Sequence, residues 1–335
     1  MGATIQPDRL LHELSELWVS LGKQNGGEST GVLRACAMTL VVVAEAQEDA
    51  AEVGETLALL MRDHPSRAIV IRVSDLEAPD LDARVFAQCW MPYGQRRQIC
   101  CEQIEISTTN ASLAEVPAVI LPLVVADLPV ILWFRPTRLL TSPALLELAR
   151  IATKTVIDSS AFPDPAAALQ RLSRASGGGF RIGDLAWTRL TRWRELIAQI
   201  FQNPAYFAQL PAITEVAISH PPGPAPTGVR YMAAWLRLCL KQAGSEARVR
   251  WIEAAEAGDG GVSRVEFSSA DPAVLHVSLR KVDASAAEVR VNELANRTVF
   301  PEASDYVLLR EELSIPGRDP IYEKSLDSAA EFEEA

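Results

Sequence analysis

A chain of 335 residues is long enough for two domains at about 100 to 200 residues each, and its 48% hydrophobic and 22% charged composition excludes intrinsic disorder over most of its length. A net charge of −11 and an isoelectric point near 5.0 exclude nucleic acid as the main partner, because such binding draws its affinity from Lys and Arg neutralising phosphates. An acidic membrane surface is disfavoured for the same reason.

The first helix is predicted from Leu10, Leu14, Leu17 and Leu21, which recur at helical spacing after Pro7-Asp8 and stop at Gly22. The stretch Val32 to Ala44 is nearly unbroken apolar and reads as one buried strand. A helix follows with Ala50, Val53, Leu57 and Leu60 on one face, and after His64-Pro65 the run Arg67 to Val73 is a second strand. Arg84 to Met91 and Gln98 to Thr108, joined through Pro92-Tyr93-Gly94, read as an antiparallel hairpin. Val116 to Phe134 holds a single charge, Asp127, but also three prolines, and a carboxylate at the middle of a span costs about 2.5 to 3.5 kcal/mol. It therefore divides into a helix over 112–126, ending at Asp127, and a central strand Val130 to Phe134. Helix 143–151, strand 154–158 and helix 164–175 complete the alternation.

These elements predict an α/β domain over 1–178, a mostly parallel Rossmann-like sheet with an inserted hairpin, closed by Ser176-Gly177-Gly178-Gly179. A smaller α+β domain is predicted over 183–315. It begins with a long amphipathic helix from Asp184 through Phe201, with Leu190, Trp193, Ile197 and Ile200 on one stripe. A helix over Gly228 to Ala243 follows, then four short strands, Arg248 to Ile252, Val262 to Phe267, Val274 to Leu279 and Glu288 to Val291, and a helix around Ala303 to Leu313. Residues 316–335 are acidic and poor in apolar side chains, which predicts a frayed, flexible tail.

Five cysteines, Cys36, Cys89, Cys100, Cys101 and Cys239, contain no Cys-x-x-Cys pair, and there are four histidines, so neither a metal nor another cofactor is expected. Asp8, Glu13 and Glu16 interrupt the first 21 residues where a signal peptide needs a basic start and an apolar run. A cytoplasmic protein with reduced thiols is the expectation. Cys100 and Cys101 point to opposite faces of their strand and are too close to bridge each other. Each would need another partner, such as Cys36 or Cys89, and two buried thiols acting as small hydrophobes is the favoured reading.

Gly27-Glu28-Ser29-Thr30-Gly31 matches a nucleophile elbow in letters, but its predicted order is helix, turn, strand, the reverse of what the elbow needs. Gly177 to Gly183 approaches a dinucleotide fingerprint but has Ile182 at the third glycine position and follows a helix. No G-x-x-x-x-G-K phosphate loop occurs. At the carboxyl ends of strands, where open α/β sheets bind ligands, stand Arg135 and Asp158-Ser159-Ser160. They are candidates for lining a crevice. His64-Pro65-Ser66-Arg67 marks a helix-to-strand turn. Trp187, Arg189, Arg192 and Arg194 form an Arg/Trp-rich stretch, and both residue types are enriched at binding hot spots, so this is a candidate partner-binding surface.

Several of these segments occur in an order that resembles a known family. His64-Pro65-Ser66-Arg67-Ala68-Ile69-Val70-Ile71, Cys100-Cys101-Glu102-Gln103-Ile104, Leu121-Pro122 with Asp127-Leu128-Pro129-Val130 to Trp133, Asp158-Ser159-Ser160 and Asp184 to Arg189 resemble the glucose-6-phosphate dehydrogenase assembly proteins, the OpcA family. The resemblance covers well over half of the chain. It implies a non-catalytic protein that binds glucose-6-phosphate dehydrogenase in the oxidative pentose phosphate pathway and promotes its assembly or activates it allosterically. It also brings in thioredoxin as a redox partner, with Cys100 and Cys101 as the motif cysteines. The alternative is an enzyme or sensor that binds a sugar phosphate or nucleotide near Arg135, Asp158 and Ser159.

Overall fold

The computed structural model describes residues 5–24, 32–91, 98–136, 142–255, 261–271, 274–315 and 317–332. Two units divide the chain, Met1–Ile157 with Phe180–Gly183 in the first, and Asp158–Gly179 with Asp184–Ala335 in the second.

In the first unit, helix α1 (Pro7–Gln24) buries Leu10 and Leu14 and leads to strands β1 (Val32–Arg34) and β2 (Met38–Glu45). Helix α2 (Ala50–Asp63), capped by the Asp49 carboxylate on the Ala51 N–H, precedes β3 (Ser66–Ser74), β4 (Leu81–Trp90) and β5 (Gln98–Thr109). Helix α3 (Val116–Ile120), β6 (Val130–Phe134), helix α4 (Pro143–Ile151), β7 (Lys154–Ile157) and β8 (Ile182–Asp184) follow. The sheet order is β1-β5-β3-β2-β6-β7-β8, with β4 antiparallel on β5 and the pairs from β1 to β7 parallel. This is the expected Rossmann-like α/β arrangement. β2 lies between β3 and β6 and is covered on both faces, which is why its sequence is continuously apolar rather than alternating.

Two elements differ from expectation. The apolar run from Val32 is two strands, because the Ala35 N–H bonds the Cys100 carbonyl and the Ala37 N–H bonds the Pro65 carbonyl. The chain thereby passes from β1, which pairs with β5 ahead of β3, to β2 on the side of β3 away from β5. The helix expected over 112–126 is a 3₁₀ turn (Leu113–Glu115), the single turn and a half of α3, and a second 3₁₀ turn (Leu121–Leu123). Pro122 has no N–H to continue an α-helical ladder. Asp127 ends the segment with φ at 65°, a left-handed turn residue. The β4–β5 hairpin is present, while its Pro92-Tyr93-Gly94 connection and the Gly27 to Gly31 motif lie outside the described residues.

The second unit begins earlier than the predicted domain boundary, since it contains helix α5 (Pro165–Gly177). The expected long helix is broken into α6 (Leu185–Thr188) and α7 (Thr191–Phe201). Then come α8 (Pro204–Phe207), β9 (Ile213–His220), α9 (Thr227–Gln242), β10 (Arg248–Glu253), β11 (Arg264–Ser269), β12 (His276–Asp283), β13 (Ala286–Val291), β14 (Leu294–Val299), α10 (Asp305–Leu313) and α11 (Pro320–Ala330). The strands form one mixed sheet, β10-β9-β11-β12-β13-β14, parallel only between β10 and β9. β9 and β14 were not anticipated. The frayed tail is also corrected: α11 is capped by Asp319, packs on α5 and α9, and buries Tyr322, Leu326 and Ala329. Its apolar residues are few but share one helical face. Among the described residues no helix is long and apolar enough to cross a membrane.

Candidate functional site: two buried polar clusters

The first cluster arises from the way β5 is shared. On one side β5 pairs with β4, and on the other it pairs first with β1, through Cys100, and then with β3, from Gln103 onward. Cys101 and Glu102 occupy the seam between β1 and β3. Arg34 ends β1 and Arg67 is the second residue of β3, so both guanidiniums meet the Glu102 carboxylate, Arg67 Nε at 2.5 Å and Arg34 Nη2 at 2.7 Å. From α1 the Trp18 indole N–H donates to Glu102 at 2.6 Å, and Arg67 Nη1 also donates to the Leu123 carbonyl at 2.7 Å. A buried carboxylate needs charge and hydrogen-bond partners to remain ionised. Here one anion joins a helix, three strands and a turn.

Beside it, Cys100 is disulfide-bonded to Cys89. The favoured reading of two free thiols therefore fails for Cys100, and of the two candidate partners it is Cys89 that bonds. The pair stands directly opposite in the antiparallel ladder with Cα atoms 4.1 Å apart. Such close cross-strand positions bring side chains together. Cys101 is free and fully buried, and burial pushes its thiol up to about 11, so it is a poor nucleophile. Ser66 is buried, and His64 caps α2 through its own N–H on the Leu60 carbonyl.

The second cluster is in the other unit. Asp184 is fully buried and accepts the N–H groups of Ser159 (3.0 Å) and Ala186 (2.9 Å) and the hydroxyl of Tyr231 (2.8 Å). Burial, aided by the nearby Asp158 charge, raises its carboxyl to about 6. Asp158 is ion-paired with Arg189 at 2.7 Å; its carboxyl is lowered, burial being more than offset by the Arg189 and Ser160 hydrogen bonds. Thr188 donates to the buried Glu312 at 2.6 Å.

The Arg/Trp stretch is largely interior. Trp187 is buried among Tyr231 and Tyr322, Arg189 is held by Asp158, and Arg194 lies 3.6 Å over the Trp187 ring, where burial lowers its guanidinium to about 10. Arg192 is the one of the four with substantial side-chain exposure. Arg135, expected to line a crevice, is bound to Glu48 and Glu52. Arg135 and Asp158 belong to different units.

The motif segments thus meet in two places, Arg67 with Glu102, and Asp158 with Ser159, Asp184 and Arg189. Their partners Trp18, Arg34 and Tyr231 were missed. A charged residue inside an apolar run was the available signal for Arg34.

Comparison with known proteins agrees with the order of these segments. Residues 58–174 match the family model described as glucose-6-phosphate dehydrogenase subunit N-terminal domain, and residues 181–326 match its C-terminal domain. A curated relative named OxPP cycle protein OpcA, from Nostoc punctiforme, is 29% identical over 70% of this chain and 47% of its own length. The protein of that name from Synechocystis sp. is 28% identical over 48% of this chain and 34% of its own. The chain spans about half the length of the curated relatives it matches, or less. Solved structures with similar outlines include the 3-ketoreductase KijD10 from Actinomadura kijaniata (TM-score 0.46, 12% identity, 88% of this chain and 95% of that one). An oxidoreductase from Sinorhizobium meliloti has TM-score 0.48 and 9% identity over 88% of this chain and 95% of its own. At those scores the likeness carries no argument about chemistry. With both domain models matched in sequence order, the chain belongs to the OpcA family of glucose-6-phosphate dehydrogenase assembly proteins.

Proposed function

We propose that the protein is a non-catalytic partner of glucose-6-phosphate dehydrogenase that promotes its assembly or activates it. The match of both family domains, in order, carries this reading. The two clusters support it, since Glu102 and Asp184 are each committed to several donors and the free thiol of Cys101 is buried. Groups so engaged suit structural staples better than acid–base work. Activation then requires different affinities for two oligomers or conformers of the enzyme.

The test mixes the purified protein with the dehydrogenase of the same organism. Co-elution and a changed oligomer distribution or changed kinetics are expected; neither occurring overturns the reading. The redox branch of the proposal now has a specific bond, Cys89–Cys100. Thioredoxin is expected to reduce it and alter activation in the parent and not in Cys89→Ser. Equal behaviour of the two removes that branch.

A further inference from the structure

A cavity of about 450 Å³ opens beside the Glu102 cluster, within the first unit. That volume falls in the range of about 300 to 1,000 Å³ typical of small-molecule sites. Leu11, Leu14 and Trp18 form an apolar wall from one face of α1, and Ser15 on the same helix adds a hydroxyl. The polar floor is Arg34, Arg67 and Glu102. Two guanidiniums against one carboxylate leave it one positive charge in excess.

The distribution of hydrogen bonds sharpens that excess. Glu102 already receives both arginines and the Trp18 indole N–H. Arg67 is held by Glu102 and by the Leu123 carbonyl, which fixes its plane. Arg34 uses Nη2 for Glu102, lies 5.5 Å over the Trp18 ring and keeps half of its side chain exposed. The carboxylate therefore orients the arginines, and Arg34 lines the cavity with half of its side chain exposed and only Nη2 engaged by Glu102. Guanidinium forks bind carboxylate and phosphate oxygens with charge-assisted hydrogen bonds. An adjoining Leu/Trp wall recognises an apolar or planar body.

We infer that this cavity is a binding site for a small organic oxyanion, a phosphate or carboxylate carried on an apolar ring, whose charged end meets Arg34 and whose ring lies against Leu11, Leu14 and Trp18. The site is separate from the Arg135 position considered from sequence, where the guanidinium is taken up by Glu48 and Glu52. Its test contains no dehydrogenase.

Titration calorimetry and thermal melts of the full chain would use phenyl phosphate and benzoate as ring-bearing anions, phenol as the neutral ring and inorganic phosphate as the anion without a ring. Saturable binding of phenyl phosphate, benzoate or both is expected, with phenol and inorganic phosphate weaker. Which of the two ring anions binds more tightly identifies the headgroup. Arg34→Gln, at a half-exposed position that should tolerate it, is expected to weaken binding roughly tenfold. Arg84→Gln, an exposed arginine paired to Glu105 on the same sheet, is expected to bind like the parent. Absence of saturable binding by both ring anions overturns the inference, and so does equal binding by the parent and Arg34→Gln.

Discussion

Glu102 and Asp184 are both buried carboxylates, and their partners divide their behaviour. Glu102 faces two cations, whereas the groups bonded to Asp184 are neutral donors, and burial raises its carboxyl to about 6. The unfolded carboxyl titrates near 4, so between about pH 4 and 6 the unfolded state releases a proton that the folded state keeps. Asp184's contribution to stability is thus fully present below pH 4 and is lost as pH rises through about 6. Asp184→Asn should remove that slope, as read by urea midpoints at half-unit pH steps; an unchanged slope would place the titration elsewhere. Glu102→Gln should cost about 3 to 5 kcal/mol, because it leaves Arg67 buried without its counter-charge. Denaturant unfolding measures it, and a loss under about 1 kcal/mol would show that Arg67 finds water instead. Arg67 and Glu102 stood out in the sequence as separate motifs. Their pairing did not, because it depends on β1 and β3 sharing one side of β5, a non-local arrangement that residue spacing does not encode.

Hydrophobic period alone located most elements of the first unit. Strand β6 and helix α4 have the expected bounds, and α2, β3 and β5 differ only at their ends. What escaped was of two kinds. The split of the apolar run into β1 and β2 is set by two backbone hydrogen bonds to distant residues, Cys100 and Pro65. The C-terminal helix α11 has too few apolar residues to stand out by composition, yet Leu326 is fully buried and Tyr322 packs against Trp187 and Tyr231. Leu326→Ala should therefore destabilise the protein by about 2 to 5 kcal/mol, the usual cost of emptying a buried leucine site. A flexible tail would tolerate the change within about 0.5 kcal/mol. Chemical denaturation distinguishes these outcomes directly.

Across the whole chain the charge of −11 is unevenly distributed: residues 1–180 carry −6, 181–250 carry +5 and 251–335 carry −10. The fold rearranges even that pattern. Register places Arg248, Arg250, Arg264, Arg280, Arg290 and Arg297 on one face of the second sheet with Glu215, Glu266 and Glu288, while Val216, Ile218, Val265, Phe267, Val277 and Leu279 fill the other. A predominantly basic face is thus drawn from both the basic and the acidic stretches. Arg192 reaches the Val299 carbonyl at 3.5 Å, at the β14 edge that also carries Arg297. Of the four residues expected at a partner surface it is the one suited to a charge test, because reversing Arg189 would strand Asp158. Oriented charge acts mainly on association rate, and it weakens with salt. On the proposed function, Arg192→Glu and Arg297→Glu should therefore each slow binding of the proposed dehydrogenase partner several-fold at low ionic strength, with the difference closing at high salt. Arg318→Glu, an exposed arginine ahead of α11, is the matched control. Stopped-flow association rates for the three variants that fall equally would mean that net charge, not its placement on this face, governs docking.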